Sequence, residues 1–506
     1  MDREKKAIYN IVSNIIVQIL VAVSGFIIPK FVLSAVGSAT NGMVNSIGQF
    51  LAYAGLIEMG IGNAAIAALY KPIAQKDVNG ISIILSSAGK KYLLSGGIYT
   101  FIIAGLAFVY PLCIKGQLDY WFVFSMVIVI AGVNVIDYFM IGKYKVLLIA
   151  DQKNYIINFI KSIATIVLTV ISCFMLVSGN SLIAVKFIAI LTHLGEAILI
   201  KIYVKYNYSG VNYFTRSYVK LDQQKNALIH QLCAVITYNT DLIILTLFFS
   251  GNSLKEVSVY SIYALAFSVI NNGMSCFTIG MEAIFGNMAA KKEMKKLQTT
   301  FQIYKTGFAF ITFLLYTCFF CLIIPFVRCY TRGVTDVNYI RLEVGILFGI
   351  NGLLANLKDA HGAIIRAYGC YRQTQSFVIA ESVLNIIVSL SLIRPFGITG
   401  VLIGTMLSHL ITCIGIPWYV EKNILKNNFF KVLMYAIVNI VLMIILAFLE
   451  VNILYTVNKW QAWMLRAILV FVFNAFILGG ANILMSRETF KLTIQYFNKI
   501  WNKKGV

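Results

Sequence analysis

Fourteen apolar stretches, each long enough to cross a bilayer, follow one another along the chain. A helix needs about 20 mostly apolar residues to cross the hydrocarbon core, where the backbone must satisfy its own hydrogen bonds. The chain is 59% hydrophobic and 12% charged, whereas soluble domains have roughly 25% charged residues. The sequence therefore predicts an all-α polytopic membrane protein. The predicted helices are 8–33, 42–70, 91–114, 118–147, 154–178, 181–205, 226–250, 256–289, 299–328, 338–366, 373–394, 397–420, 430–452 and 461–485.

Lysine and arginine are concentrated in every second loop. The chain has 42 Lys and Arg against 20 Asp and Glu, a formal net charge of +22. Because cytoplasmic loops collect Lys and Arg, this pattern predicts that both termini are cytoplasmic. One outer loop breaks the pattern with Arg328, Arg332 and Arg341, and both a functional basic rim and a tolerated exception stay open. No nucleic-acid partner is expected, since the sequence shows no basic soluble domain.

Two segments of similar texture indicate an internal repeat. YKVLLIADQKNYIINFIKSIATIVL and GAIIRAYGCYRQTQSFVIAESVLNI each join an apolar helix end to a new apolar helix through an alanine, Ala150 or Ala367, and a short polar turn. Parallel repeats of this kind are a common architecture of transporters. We therefore expect two pseudo-symmetric six-helix lobes, 1–205 and 226–420. A basic cytoplasmic linker, 206–225, would join them, and two extra helices and a basic cytoplasmic tail would occupy 421–506.

The segment 341–372 carries Lys358, Asp359, His361 and Arg366 inside a helix that is otherwise apolar enough for a membrane. Ionisable groups are costly in hydrocarbon and usually mark a functional pathway. Lys358 and His361 are spaced i, i+3, and Asp359 and Arg366 are spaced i, i+7 on a neighbouring face. We interpret this helix as one wall of a water-filled cavity that accepts an anionic substrate.

The corresponding helix of the first predicted lobe has a similar set of charges. Asp137 and Lys145 are spaced i, i+8, which places them on one face, and Lys143 lies at the same end. The predicted groups for an anionic head group are Lys358, His361, Arg366, Lys143 and Lys145. The predicted coupling or ion-pair acids are Asp137, Asp359, Glu58 and Asp241. For the bases near helix ends a topological anchoring role stays open, and for the acids a purely structural role does.

No pattern of catalytic, metal or nucleotide chemistry stands out. Cys318 and Cys321 have CxxC spacing but lie in an apolar helix without a neighbouring Cys or His cluster, and His193, His361 and His409 lie on three different predicted helices. The motif GxxxxGK[ST] is absent from the sequence, which argues against an ATP-driven pump. We therefore expect no metal, no cofactor and no enzymatic activity.

As a whole, the pattern resembles the polysaccharide flippases of the multidrug/oligosaccharidyl-lipid/polysaccharide exporter (MOP) superfamily. The resemblance lies in the fourteen spans, the basic N-terminus before YNIVSNIIVQILVAVSGFIIPKFVLSAVG, and the run YNTDLIILTLFFSGNSLKEVSVYSIYALAFSVINNG. It implies a cavity with a basic interior that opens alternately to the two sides of a bacterial plasma membrane. The implied substrate is an undecaprenyl-pyrophosphate-linked oligosaccharide for a surface polysaccharide. The implied partners are membrane lipids and a polysaccharide polymerase or export machinery.

Three other functions remain alternatives at the level of sequence. One is a cation-coupled multidrug exporter of the same superfamily. Such proteins usually have twelve helices and an acid in the first helix, and the first predicted helix of this chain has no acid. Lipid II flippases look to carry arginines in their first two helices, whereas the first two predicted helices of this chain contain no arginine. A membrane glycosyltransferase or polymerase would need a large outer loop or an acid cluster in one. The energy source also stays open between protons or sodium, acting through His361, Glu58 or Asp241, and the membrane potential.

Overall fold

A computed structural model describes residues 3–114, 116–213, 215, 219, 225–453, 457 and 459–503. All regular secondary structure in these ranges is helical. The α-helices are α1 (Arg3–Ala54), α2 (Ile61–Gln75), α3 (Val78–Cys113), α4 (Tyr120–Ile136), α5 (Gly142–Ala150), α6 (Asn154–Val177), α7 (Leu182–Asn207), α8 (Lys225–Phe248), α9 (Ser253–Ala290), α10 (Met294–Tyr330), α11 (Leu342–Tyr368), α12 (Tyr371–Tyr419), α13 (Phe429–Ile453), α14 (Trp460–Met485) and α15 (Arg487–Lys503). A 3₁₀ turn, Gly55–Glu58, and two π-helical turns, Asp137–Ile141 and Val420–Ile424, lie between them.

Eleven described helical segments are long and apolar enough to cross a membrane. Two of them, Tyr9–Glu58 and Tyr371–Ile424, have 50 and 54 residues, more than twice the length that one crossing needs. Each bends at a glycine and supplies two predicted helices. The eleven do not include α11, whose polar residues lower its mean hydropathy, and this helix is the fourteenth. The prediction of an all-α polytopic membrane protein with about fourteen helices is confirmed.

The bend in α1 lies at Gly37, which has φ 80° and ψ 177°. Only glycine adopts this backbone conformation without strain. The helix restarts at Ser38, whose backbone N–H donates to Asp336 Oδ2 at 3.1 Å and whose hydroxyl donates to Oδ1 at 2.6 Å. The Asp336 carboxylate therefore caps the second arm of α1, as an N-cap residue would, from a distant part of the sequence.

The bend in α12 lies at Gly397, with φ 56° and ψ −132°. The two arms then run very close together. A Cβ at Gly400 would lie 2.2 Å from the Leu392 carbonyl oxygen, and a Cβ at Gly404 would lie 2.3 Å from Ser389 Oγ. Small residues let membrane helices approach closely and gain van der Waals contact. The predicted helices 373–394 and 397–420 therefore form a tightly packed hairpin inside one continuous helical stretch.

Helix α3 begins at Val78, well before the predicted start at 91. Asp77 caps it by accepting a hydrogen bond from the Gly80 N–H at 2.9 Å. Its first turns carry the serines that bind the described part of the predicted linker: Ser82, Ser86 and Ser87 accept hydrogen bonds from the backbone N–H groups of Asn212, Thr215 and Val219 at 2.9–3.0 Å. The serines make this part of the sequence less apolar, which is why the predicted helix began later, at 91. Linker positions 214, 216–218 and 220–224 and tail positions 504–506 lie outside the described residues.

The chain divides into two compact units, residues 1–258 with 333–337, and residues 259–332 with 338–506. In the first unit a continuous apolar core includes Leu85, Tyr99, Met126 and Leu147. Helix α8 belongs to this unit, where Ser46 of α1 contacts Thr246 of α8 at 2.7 Å between hydroxyl oxygens. In the second unit the apolar contacts of α10 with α13 and α14 include Leu314, Leu446 and Leu478. The predicted lobe boundaries, 1–205, 226–420 and 421–506, stay predictions.

Candidate functional site

In the first unit, Asp137 lies at the start of a π-helical turn and contacts two basic side chains. Lys145 Nζ donates to Asp137 Oδ1 at 2.7 Å, and His193 Nε2 lies 3.3 Å from Asp137 Oδ2. Glu196, which is buried, lies 3.7 Å from Lys145 Nζ and 3.2 Å from His193 Nδ1. π-Helical turns inside α-helices frequently occur at functional sites. With His193 neutral, this cluster of two acids and one lysine has a net charge of −1.

A cavity of about 490 Å³ in the same unit has both Glu58 and Asp137 in its wall. Glu58 ends the 3₁₀ turn after α1, and the Tyr92 hydroxyl is its hydrogen-bond partner. The chain changes conformation next to Glu58, because Gly60 has φ +83° and α2 starts immediately after it. Two of the four predicted acids are therefore brought to one cavity.

Lys143 and Asp241, also in the first unit, have other described neighbours. The Lys143 ammonium lies 5.4 Å from the ring centroid of Tyr144 and 5.6 Å from that of Tyr213, within the range of cation–π contacts. Asp241 is buried in α8 beside Thr240, whose hydroxyl contacts Tyr53 of α1. The structure thus separates Lys143 from Lys145, although the two are near neighbours in the sequence.

In the second unit, Lys358 is bound by a buried acid from α12. Lys358 Nζ donates to Glu381 Oε1 at 2.5 Å and to Thr412 Oγ1 at 2.8 Å. His409 Nδ1 and the Thr412 hydroxyl contact the same Glu381 oxygen at 2.6 and 2.8 Å. Glu381, His409 and Thr412 are each less than 5% exposed. Lys358 is therefore compensated by Glu381, while its sequence neighbour Asp359 binds Arg366.

His361, one turn further along α11, belongs to a different cluster. Its Nε2 lies 3.1 Å from Glu421 Oε1, and Lys305 Nζ of α10 donates to the same oxygen at 2.6 Å. Asn427 Nδ2 donates to the second Glu421 oxygen at 3.0 Å. Glu421 is fully buried in the second π-helical turn. These side chains lie in the wall of a cavity of about 950 Å³ between α10, α11, α12, α13 and the α14–α15 junction.

Arg366 is the most exposed of the predicted bases in this unit. Its guanidinium donates to Glu282 of α9 and, at 3.1 Å, to Asp359 Oδ1. Asp359 also accepts a hydrogen bond from the Thr278 hydroxyl at 2.8 Å. The Arg366 side chain is 37% exposed, and its two acids are 26% and 28% exposed. One guanidinium between two carboxylates gives this cluster a net charge of −1.

The predicted residues are thus distributed over several clusters, and each cluster contains groups that were not among the predicted site residues. Lys305 and Glu421 were missed because one lysine in an apolar helix and one glutamate beside Lys422 at a helix end have no distinctive spacing. A shared feature appears only in three dimensions: His193, His361 and His409 each contact a carboxylate that also binds a lysine. Among the described residues, no group of three or more His, Cys, Asp or Glu has a geometry that could hold a metal ion.

No known family profile matches the sequence, and no curated protein matches it. Among solved structures, the chain is similar to an inward-facing multidrug resistance MATE family transporter of the MOP superfamily. The TM-score is 0.61 at 14% identity, over 79% of this chain and 95% of that chain. It is also similar to the lipid II flippase MurJ in an inward closed conformation, with a TM-score of 0.60 at 13% identity over 94% of this chain and 100% of that one.

A third similar structure is a MOP superfamily transporter from Pyrococcus furiosus, with a TM-score of 0.55 at 13% identity over 85% of this chain and 98% of that chain. At these identities the likeness concerns the fold. The chain has the fold of MOP superfamily transporters, as the resemblance of its sequence implied.

Proposed function

We propose that this protein is a transporter of a bacterial plasma membrane that moves undecaprenyl-pyrophosphate-linked oligosaccharide repeat units from the cytoplasmic to the outer face. It would act by alternating access in the biosynthesis of a surface polysaccharide, with both termini cytoplasmic and a polymerase or export machinery as partner. The observation that supports it is the set of bases held on spanning helices by carboxylates, in a fold shared with a lipid II flippase. Ionisable side chains at membrane depth are costly in free energy, so they usually mark a functional site.

The basic groups would offset the loss of hydration that an anionic head group suffers on leaving water. Lys and Arg bind pyrophosphate through charge-assisted hydrogen bonds. In each cluster, however, the base already has a carboxylate partner. Binding of the head group is therefore an exchange: the base leaves its acid, and the acid must turn to water or take up a proton. This exchange keeps binding weak enough for release on the outer side.

The experiment is complementation of a flippase-deficient strain in which lipid-linked intermediates are followed across the membrane. We expect the wild-type chain to restore translocation. The triple variant Lys358→Gln, His361→Gln, Arg366→Gln should abolish it at an unchanged protein level in the membrane. The control is Lys296→Gln, because this lysine is 58% exposed and its described ion pair is with Glu293, one turn away. Full rescue by the inserted triple variant would overturn the binding assignment.

A cation-coupled multidrug exporter is the second candidate, and one specific observation favours it. The Arg366 cluster contains two acids for one base, and such an excess of negative charge attracts cations and opposes anions. If expression of the chain lowered the susceptibility of cells to cationic drugs and rescued no surface polysaccharide pathway, this second function would replace the first.

A further inference from the structure

We propose that the 950 Å³ cavity inside the second unit is a proton-linked binding site for an amphiphile with an anionic head, and that His361 carries the proton. This inference shares His361 with the proposed function, but it concerns a cavity within one unit and does not depend on which substrate is translocated. We call this cavity the α10–α13 cavity; it is lined by residues of α10, α11, α12, α13 and the α14–α15 junction.

Most of the wall is apolar. Phe308 and Phe313 of α10, Leu410 of α12, and Met434 and Ile437 of α13 line it. Cavities of about 300–1,000 Å³ with such walls and a few placed polar groups are typical binding sites for small molecules. The walls would accommodate an alkyl or prenyl chain, so the occupant is an amphiphile that enters from the bilayer.

The polar end of the cavity consists of Lys305, His361 and Glu421. The Lys305 ammonium has three N–H donors, and its described hydrogen bond to Glu421 uses one of them. His361 is 2% exposed, and its Nδ1 is buried without a hydrogen-bond partner among the described atoms. An unpaired buried polar atom costs free energy, so a ligand or a proton that satisfies Nδ1 stabilises the site.

The tautomer of His361 follows from its contact with Glu421. A carboxylate accepts, so Nε2 carries the hydrogen and Nδ1 is an acceptor in the neutral ring. A proton added at Nδ1 converts this acceptor into a donor that an anionic head group can accept from. The same proton changes the charge of the Lys305, Glu421 and His361 set from zero to +1.

The remaining charges around the cavity have the same effect. Three bases line it, Lys305, Lys431 and Arg487, against two acids, Glu421 and Glu488, so the net charge is +1 with His361 neutral and +2 with His361 protonated. The other charged groups near His361 are engaged elsewhere: Lys358 with Glu381, and Asp359 with Arg366. The anion and the proton therefore favour each other's binding, and by linkage the effect is reciprocal.

The test uses the whole chain in nanodiscs of phosphatidylcholine, with isotope-labelled histidine. The chain has four histidines, so each NMR signal can be assigned from a single substitution. The probe is decanesulfonate, whose charge does not change between acid and neutral pH. We expect saturating probe to raise the pH at which the His361 ring titrates. We also expect the probe to bind at least about tenfold more tightly at pH 5.5 than at pH 8, the size of an ordinary coupling between sites.

Controls separate this site from general effects. Decyltrimethylammonium should not raise the pH at which the His361 ring titrates, and neither should decanol. The His230→Gln variant, altered in α8 of the first unit, should keep the pH dependence of decanesulfonate binding. His361→Gln should lose it, and Lys431→Gln, an exposed position at the cavity, should weaken binding at every pH without touching the His361 set.

A His361 signal that ignores decanesulfonate, or equal binding by wild type and His361→Gln at all pH values, would overturn the proposal. Two further arms identify the natural source of the anion. Phosphatidylglycerol added to the nanodiscs tests a bulk lipid, and a polyprenyl phosphate tests a carrier lipid. Because these readouts need no translocation, failed complementation would refute the proposed function and leave this site standing, and the converse holds equally.

Discussion

Removal of the Glu381 carboxylate should expose how strongly the second unit depends on internal charge compensation. One Glu381 oxygen contacts Lys358 Nζ at 2.5 Å, His409 Nδ1 at 2.6 Å and Thr412 Oγ1 at 2.8 Å. Glu381→Gln preserves the shape of the side chain and one acceptor oxygen, but it removes the negative charge. Lys358, whose side chain is only 14% exposed, then lacks its acid partner.

The expected loss of unfolding free energy is about 3–5 kcal/mol, the usual range when one partner of a buried ion pair is removed. The neutral hydrogen bonds to Thr412 and His409 can persist with glutamine, so most of the loss comes from the uncompensated lysine. Replacement of both partners in Glu381→Gln, Lys358→Met removes the buried charge. The double variant should therefore be more stable than the single one, with a coupling energy of about 2 kcal/mol or more.

Denaturant unfolding of the purified protein in lipid–detergent micelles measures both variants against wild type, with Lys296→Gln as the surface control. A Glu381→Gln variant within about 1 kcal/mol of wild type would contradict a buried, compensated pair. A double variant no more stable than the single one would show that the loss comes from packing and hydrogen bonds, not from the lost ion pair with Lys358. Either result refutes the reasoning.

Three further predictions concern parts of the chain outside the charge clusters. Gly397→Ala should cost about 1–3 kcal/mol of stability because its φ of 56° and ψ of −132° are strained for alanine; in contrast, Gly307→Ala, which has open space around it in α10, should be neutral or stabilising in the same thermal unfolding assay. Asp151 lies outside the spanning segments. Burial alone would raise its pKa, but hydrogen bonds from Lys153, Tyr208 and Lys6 hold the pKa below its usual value of about 3.9. The stability that ionised Asp151 contributes is therefore present above about pH 4 and is lost as the pH falls through the lower pKa of the folded state. Asp151→Asn should be less stable than wild type by about 1 kcal/mol at pH 7, and this difference should shrink as the pH falls below about 4. Ser86→Ala removes two hydrogen bonds to Thr215 and should speed trypsin cleavage within 206–225, and an unchanged cleavage rate would contradict the attachment of the linker to α3.

The number and type of elements were predictable because long apolar segments in a membrane have few alternatives to helices. The breaks at Gly37 and Gly397 lie where two predicted helices meet, but the sequence did not predict that a single glycine would join the two helical arms at each place. The roles of the charged residues at membrane depth stay predictions, and the contact of Asp137 with Lys145 agrees with their spacing. Partners contributed by distant helices, such as Glu381 for Lys358, depend on packing that local periodicity does not encode.

The same packing decides what the bases can do. In the sequence, Lys358, His361 and Arg366 give α11 three bases. In the folded chain, two acids lie beside Arg366 and one lies beside Lys358. His361 shares a further acid with Lys305. No cluster formed by these three bases has a positive charge while its histidine is neutral. These three bases are therefore offset within their own clusters, and the net charge of +1 at the α10–α13 cavity with His361 neutral also includes Lys431, Arg487 and Glu488. If these clusters bind an anion, as we propose, added positive charge would come from a proton on a histidine or from neutralisation of a carboxylate. Under this proposal, proton uptake and anion binding are coupled, and each favours the other.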